Sequence, residues 1–133
     1  MKKFIIFFLL AISSMIASAQ TSYRLVADRS CFRVSDGYGW SEWSDWMDCG
    51  TIVITIDLMK ENIRIFTNNI QDYLIVENLG EDYVKGGGKM LTLLAVDSEG
   101  RTCKVDLVYY YRSGKRSHIY VRFNDVEFGY LLR

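Results

Sequence analysis

Beyond Gln20, hydrophobic and polar residues alternate with a period of two along most of the chain, and helical periodicity is scarce. Ile52, Ile54, Ile56 and Leu58 fall on one side of their segment, and Val53, Thr55 and Asp57 on the other. The same alternation predicts strands over residues 23–34, 63–67, 73–77, 89–96, 101–112, 118–123 and 126–132. That makes eight strands, each near the common length. The joints between them hold turn residues: Asn68-Asn69, Asp97-Ser98-Glu99-Gly100, Ser113-Gly114-Lys115-Arg116 and Asn124-Asp125. Residues 80–88, ending in Gly86-Gly87-Gly88, read as a longer flexible loop. No strand-to-helix junction follows these glycines, so they form no phosphate cradle. No internal repeat or second domain is evident.

Short links favour antiparallel neighbours and hence a meander. The chain contains no proline, a common device for blunting exposed sheet edges. Closing the sheet removes the edges altogether, and eight strands suit a small barrel. The predicted fold is all-β: a single antiparallel meander closing into a small lipocalin- or calycin-like up-and-down barrel. An open β-sandwich is the second choice. Charged residues such as Arg64, Lys104, Asp106 and Arg122 interrupt the outward faces, which argues against a lipid-facing barrel.

The N-terminus changes the picture. Lys2 and Lys3 precede an apolar run ending at Ile12, and small residues lead to Ala17-Ser18-Ala19 before Gln20. This is the layout of a secretory signal peptide, predicting residues 1–19 as the signal and 20–133 as one β domain. The run is too short to span a bilayer, so no membrane insertion is expected after cleavage. A lipoprotein would need cysteine at the position of Gln20. The expected address is periplasmic or secreted, in soluble form. Lys+Arg and Asp+Glu each number 16, and losing two lysines with the signal leaves a slight negative excess. Such a balance gives no general attraction to nucleic acid.

Export makes the odd cysteine count informative. Cys31 and Cys49 flank the predicted first hairpin and are the candidate disulfide. Cys103 falls within the apolar alternation of Val105, Leu107 and Tyr109, as a small buried hydrophobe. Three scattered cysteines and one histidine, His118, lack the close ligand pairs of a zinc site, so no metal or other cofactor is expected.

Chemistry concentrates in aromatic residues. Trp40, Trp43 and Trp46 are the only tryptophans and lie within seven residues of one another. Spacing of three puts neighbours on opposite faces of a strand, but nearly on one face of a tight helical turn. They form a stacking platform for a sugar or partner, a plug at one barrel mouth, or a hydrophobic seam between the first two strands. In Tyr109-Tyr110-Tyr111, alternation sends Tyr109 and Tyr111 inward, while Tyr110 joins Tyr120 and Arg122 in an outward aromatic–basic patch. His118 reads as a solvated strand residue, and no acid–base constellation is recognisable. The expected function is non-catalytic binding of a small ligand or glycan at an aromatic-lined mouth. A protein–protein adaptor or inhibitor acting through a sheet face or edge is the alternative, and a small hydrolase ranks last. The partner, protein or glycan, is unknown.

A diffuse pattern runs through the whole domain: W-x-x-W, then Val53-Ile54-Thr55-Ile56-Asp57, Tyr73-Leu74-Ile75, Asp97-Ser98-Glu99-Gly100-Arg101-Thr102-Cys103, Ile119-Tyr120-Val121 and Phe128-Gly129-Tyr130. It resembles small exported proteins of unassigned function common in gut Bacteroidota. The resemblance implies export and an all-β fold, and transfers no site.

Overall fold

The computed structural model describes residues 22–111 and 115–133. The predicted signal peptide and the Ser113-Gly114 part of one predicted turn lie outside these residues. Eight strands follow in order: β1 Ser22–Val34, β2 Met47–Asp57, β3 Asn62–Phe66, β4 Ile70–Val84, β5 Gly88–Asp97, β6 Thr102–Tyr110, β7 His118–Arg122 and β8 Val126–Leu132. Each pairs antiparallel with the next, and β8 returns to β1 from Ala27↔Leu132 to Val34↔Val126. The molecule is a closed eight-stranded up-and-down β-barrel, and the open sandwich is excluded by that last seam. Among the described residues, no helix is long and apolar enough to cross a membrane.

Alternation decides which side chains enter the barrel. Ile54, Ile56, Ile63, Ile65, Ile75, Leu91, Leu93, Ile119 and Val121 are essentially inaccessible and fill its centre. β-branched side chains dominate because they pack well on a pleated surface. An eight-stranded barrel is just wide enough for such side chains to fill. Cys103 and Tyr109 join this interior, as the alternation predicts, whereas Tyr111, expected on the same face, lies past the end of β6 and is exposed, meeting Tyr109 edge-on at 5.4 Å.

The turns use their side chains as backbone partners. The Asp97 carboxylate accepts the N–H groups of Glu99 and Arg101 at 3.0 and 2.8 Å, while Gly100 takes a φ of +84°. Asp57 does the same for Met59 and Lys60 across the β2–β3 turn.

β4 departs from expectation. Rather than ending near Glu77, it runs on to Val84, and only a short turn separates it from β5. Two irregularities in the β4–β5 register, at Ile75/Glu77 and Asn78/Gly80, shift the side-chain alternation and disguise the strand in the sequence. At the second, Asn78 Oδ1 accepts the Gly80 N–H at 2.8 Å and Gly80 adopts a φ of +109°. β3 pairs β4 only from Ile70 to Leu74, so the far part of β4 passes beyond its neighbour.

The expected Cys31–Cys49 disulfide is corrected: all three cysteines are free thiols. Around the register shift at Ala27/Arg29, Cys49 packs toward the barrel core. Cys31 pairs with Gly129 and lies on the outer face beside Tyr120. The two thiols therefore sit on opposite sides of the barrel wall, where no bridge can join them.

Candidate aromatic trough on the outer wall

The tryptophan segment is the key to the outer surface. It forms no regular strand, yet it runs antiparallel beside the end of β1. Ser41 N–H donates to Val34 O at 2.8 Å, and Ser44 N–H donates to Phe32 O at 2.9 Å. Three residues of the segment thus span two residues of β1. In return, the hydroxyls of Ser41 and Ser44 accept the N–H groups of Val34 and Phe32, at 3.0 and 2.9 Å. Each hydroxyl also donates to the carbonyl of the residue that follows it.

Trp40-Ser41-Glu42 and Trp43-Ser44-Asp45 are therefore two turns of one three-residue repeat, each serine replacing a strand partner for β1. The W-S-x pattern is the only trace of this repeat along the chain. The extra residue per step cancels the alternation of an ordinary strand. Trp40 and Trp43 consequently share a face instead of opposing one another. Between β1 positions of matching phase stands Arg33, whose guanidinium carbon lies 4.8 Å from the Trp40 ring centre and 4.9 Å from that of Trp43.

Trp43 also reaches Tyr120 of β7, with ring centres 5.3 Å apart at a tilt of 43°. Gly129 on the intervening β8 makes room for this crossing. A Cβ there would stand 2.7 Å from Tyr120 Cε1 and 2.8 Å from Cys31 Sγ, too close for either. The aromatic row continues from Tyr120 to His118 at 4.8 Å and from His118 to Tyr110 at 6.1 Å. Lys115 caps it, with Nζ 5.4 Å from the Tyr110 ring centre.

Charged groups cross the strands beneath this row. Arg33 contacts Glu127 on β8 at 2.6 Å, and Arg122 Nε on β7 lies 2.8 Å from Asp106 Oδ2 on β6. Thr92 on β5 donates its hydroxyl to the other Asp106 oxygen at 2.9 Å. Asp106 and Glu127 are 3% and 5% exposed, the two most deeply buried charged residues described. Breaking such a pair by removing one partner leaves a buried charge uncompensated, which costs about 3–5 kcal/mol. The Arg122 Nε–H points off its carboxylate partner and finds no hydrogen-bond acceptor.

Between row and ladder lies a hollow of about 340 Å³, lined chiefly by Arg33, Trp43, Asp106, Tyr110, His118, Tyr120, Arg122 and Glu127. Comparison with protein-family models, with curated proteins and with solved structures finds no match. The hollow is thus characterised by its chemistry. Its volume falls at the small end of ligand sites, which run from roughly 300 Å³ upward. Burial pushes the Tyr120 phenol up and holds His118 below its usual range, so both are uncharged near neutrality. Burial likewise raises the Cys31 thiol beside Tyr120 to about 11.

Of the residues singled out from sequence, Trp43, Tyr110, Tyr120 and Arg122 converge on this hollow. Trp40 stands behind it, against the guanidinium of Arg33. Trp46, immediately before β2, is half-buried and is not among the hollow's lining residues. His118, expected to be solvated, is wedged between two tyrosines in the row. Arg33, Asp106, Glu127 and Gly129 also belong to the site, although nothing in their local sequence marks them out. Glu127 is paired with Arg33 although the two are 94 positions apart, and no local spacing announces such a contact.

Proposed function

We propose that the protein is an exported, non-catalytic binding module that takes a ring-bearing small ligand or glycan on the outer wall of its barrel, rather than inside a barrel mouth. The observation that carries this reading is the convergence of Trp43, Tyr120 and the Arg33–Glu127 and Arg122–Asp106 pairs on one hollow. Aromatic faces stack against the C–H face of a sugar ring, and fixed polar groups beside them orient its hydroxyls. The location follows from the filled interior, which leaves the outer wall as the place where aromatic and polar groups meet. A catalytic reading is weaker, because both buried carboxylates are already committed to guanidiniums instead of being free to move protons. Export rests on the signal-peptide layout of residues 1–19.

A second reading, a protein adaptor, is favoured by one observation. β4 extends past β3, and no described strand pairs with the side of Leu79–Val84 that faces away from β5. Leu79 and Tyr83 are exposed there, and an extended segment of a partner can add to such an edge.

One experiment separates the two. The protein is applied to an oligosaccharide array and to its own cell-envelope extract, with Trp43→Ala and Tyr83→Ala in parallel. The trough reading predicts saccharide binding that falls at least about tenfold, equal to 1.4 kcal/mol, in Trp43→Ala and is untouched by Tyr83→Ala. Absence of any Trp43-dependent saccharide binding overturns it. Retention of a protein partner that Tyr83→Ala abolishes supports the adaptor.

A further inference from the structure

Resting on the trough reading, we propose that this hollow selects uncharged oligosaccharides over both acidic and basic ones. Every formal charge in its wall is answered within the wall. Arg33 is matched by Glu127 and Arg122 by Asp106, with separations of 2.6 and 2.8 Å. Burial keeps His118 uncharged.

An anion approaching either guanidinium also approaches the carboxylate that neutralises it, and the two Coulomb terms nearly cancel. Asp106 is also held through its second oxygen, which accepts the Thr92 hydroxyl. A cation fares no better. The aromatic faces that would attract it already carry the chain's own cations, with Arg33 against Trp40 and Trp43, and Lys115 over Tyr110.

What the wall offers a ligand is uncharged: the accessible part of Trp43 and the ring of Tyr120. A ring with an apolar face stacks on both and imports no charge. Because the residues lining the hollow carry no net charge, association is expected to depend little on salt.

Isothermal titration of the purified protein tests this. Neutral xylo- and gluco-oligosaccharides are compared with oligogalacturonides and chitosan oligomers of equal length, at low and high salt. The expected result is binding of a neutral chain about tenfold or more tighter than either charged one, changing little with salt and lost in Trp43→Ala. In Asp106→Asn, verified as folded by circular dichroism, Arg122 loses its counter-charge, and affinity for oligogalacturonide is expected to rise several-fold. Tightest Trp43-dependent binding of a charged oligosaccharide, or a folded Asp106→Asn with no gain for the acidic one, overturns the selectivity but leaves the trough reading standing. Absence of Trp43-dependent binding to any of the saccharides overturns both.

Discussion

Single residues set the geometry of the outer wall, and Gly129 does so by what it lacks. Its neighbours across β8 are the Tyr120 ring on one side and the Cys31 sulfur on the other, each within 3 Å of where a Cβ would stand. Gly129→Ala is therefore expected to lift Tyr120 from the wall and part it from Trp43. Overpacking of this kind costs typically 1–3 kcal/mol. Urea denaturation reads the stability loss, and iodide quenching of tryptophan reads the release of Trp43. A variant as stable as the parent, with unchanged quenching, would show that Gly129 does not hold the aromatic row together. Arg33 illustrates the converse. One side chain serves two tryptophans and a buried carboxylate at once, so its charge and its flat apolar faces are both in use.

At the scale of elements, the tryptophan segment behaves as a strand without strand geometry. Its serines satisfy β1 N–H groups that a regular neighbour would otherwise bond, and each such bond contributes about 0.5–1.5 kcal/mol. The double variant Ser41→Ala/Ser44→Ala is expected to leave the barrel folded while freeing the segment. Circular dichroism would stay unchanged, and amide exchange at Phe32 and Val34 would quicken by about tenfold or more, the equivalent of 1.4 kcal/mol. Unaltered exchange at both amides would refute the role given to the hydroxyls. The far part of β4 teaches a related lesson. Strand pairing tolerates two register shifts, but a strict period of two does not, so the alternation alone predicts a loop from Gly80 onward.

For the whole molecule, burial of weak acids in the barrel wall and core predicts how stability responds to alkali. Burial raises Cys31 and Cys103 from the ordinary thiol value of 9.0 to about 11, and it also raises the Tyr73, Tyr109 and Tyr130 phenols. Below pH 9 both folded and unfolded chains keep the thiol protons, so these groups add no pH dependence. Between about pH 9 and 11 the unfolded chain releases them while the folded chain retains them. The folded state then binds more protons, and stability falls as pH rises. The buried phenols act in the same direction from their ordinary value of 10.0 upward. Urea midpoints measured from pH 8 to 11 are expected to decline steadily above pH 9. The decline should be shallower in Cys31→Ser/Cys103→Ser, and a flat profile in the parent would contradict the burial of these groups.

Much of this barrel is legible in the chain because a strand's two faces are written by neighbours in sequence. Alternation of Ile52, Ile54 and Ile56 with Val53 and Thr55 declares an inside and an outside before any partner is known. Short polar joints then leave antiparallel pairing as the natural order, and the eighth strand has only the first to close against. Tyr109 facing in and Tyr110 facing out follow from that same rule. The trough is a different kind of object. Arg33, Asp106, Tyr120 and Glu127 come from four strands, and they meet because barrel curvature and register bring the strands' outer faces side by side. Nor does spacing alone orient Trp40 and Trp43. Their shared face arises from how three residues fit against two of β1, a match between segments that exists only once the two lie together. Local alternation thus determined the barrel and its core, whereas convergence across distant strands decided the site, since those contacts depend on register between strands and not on order along any one of them.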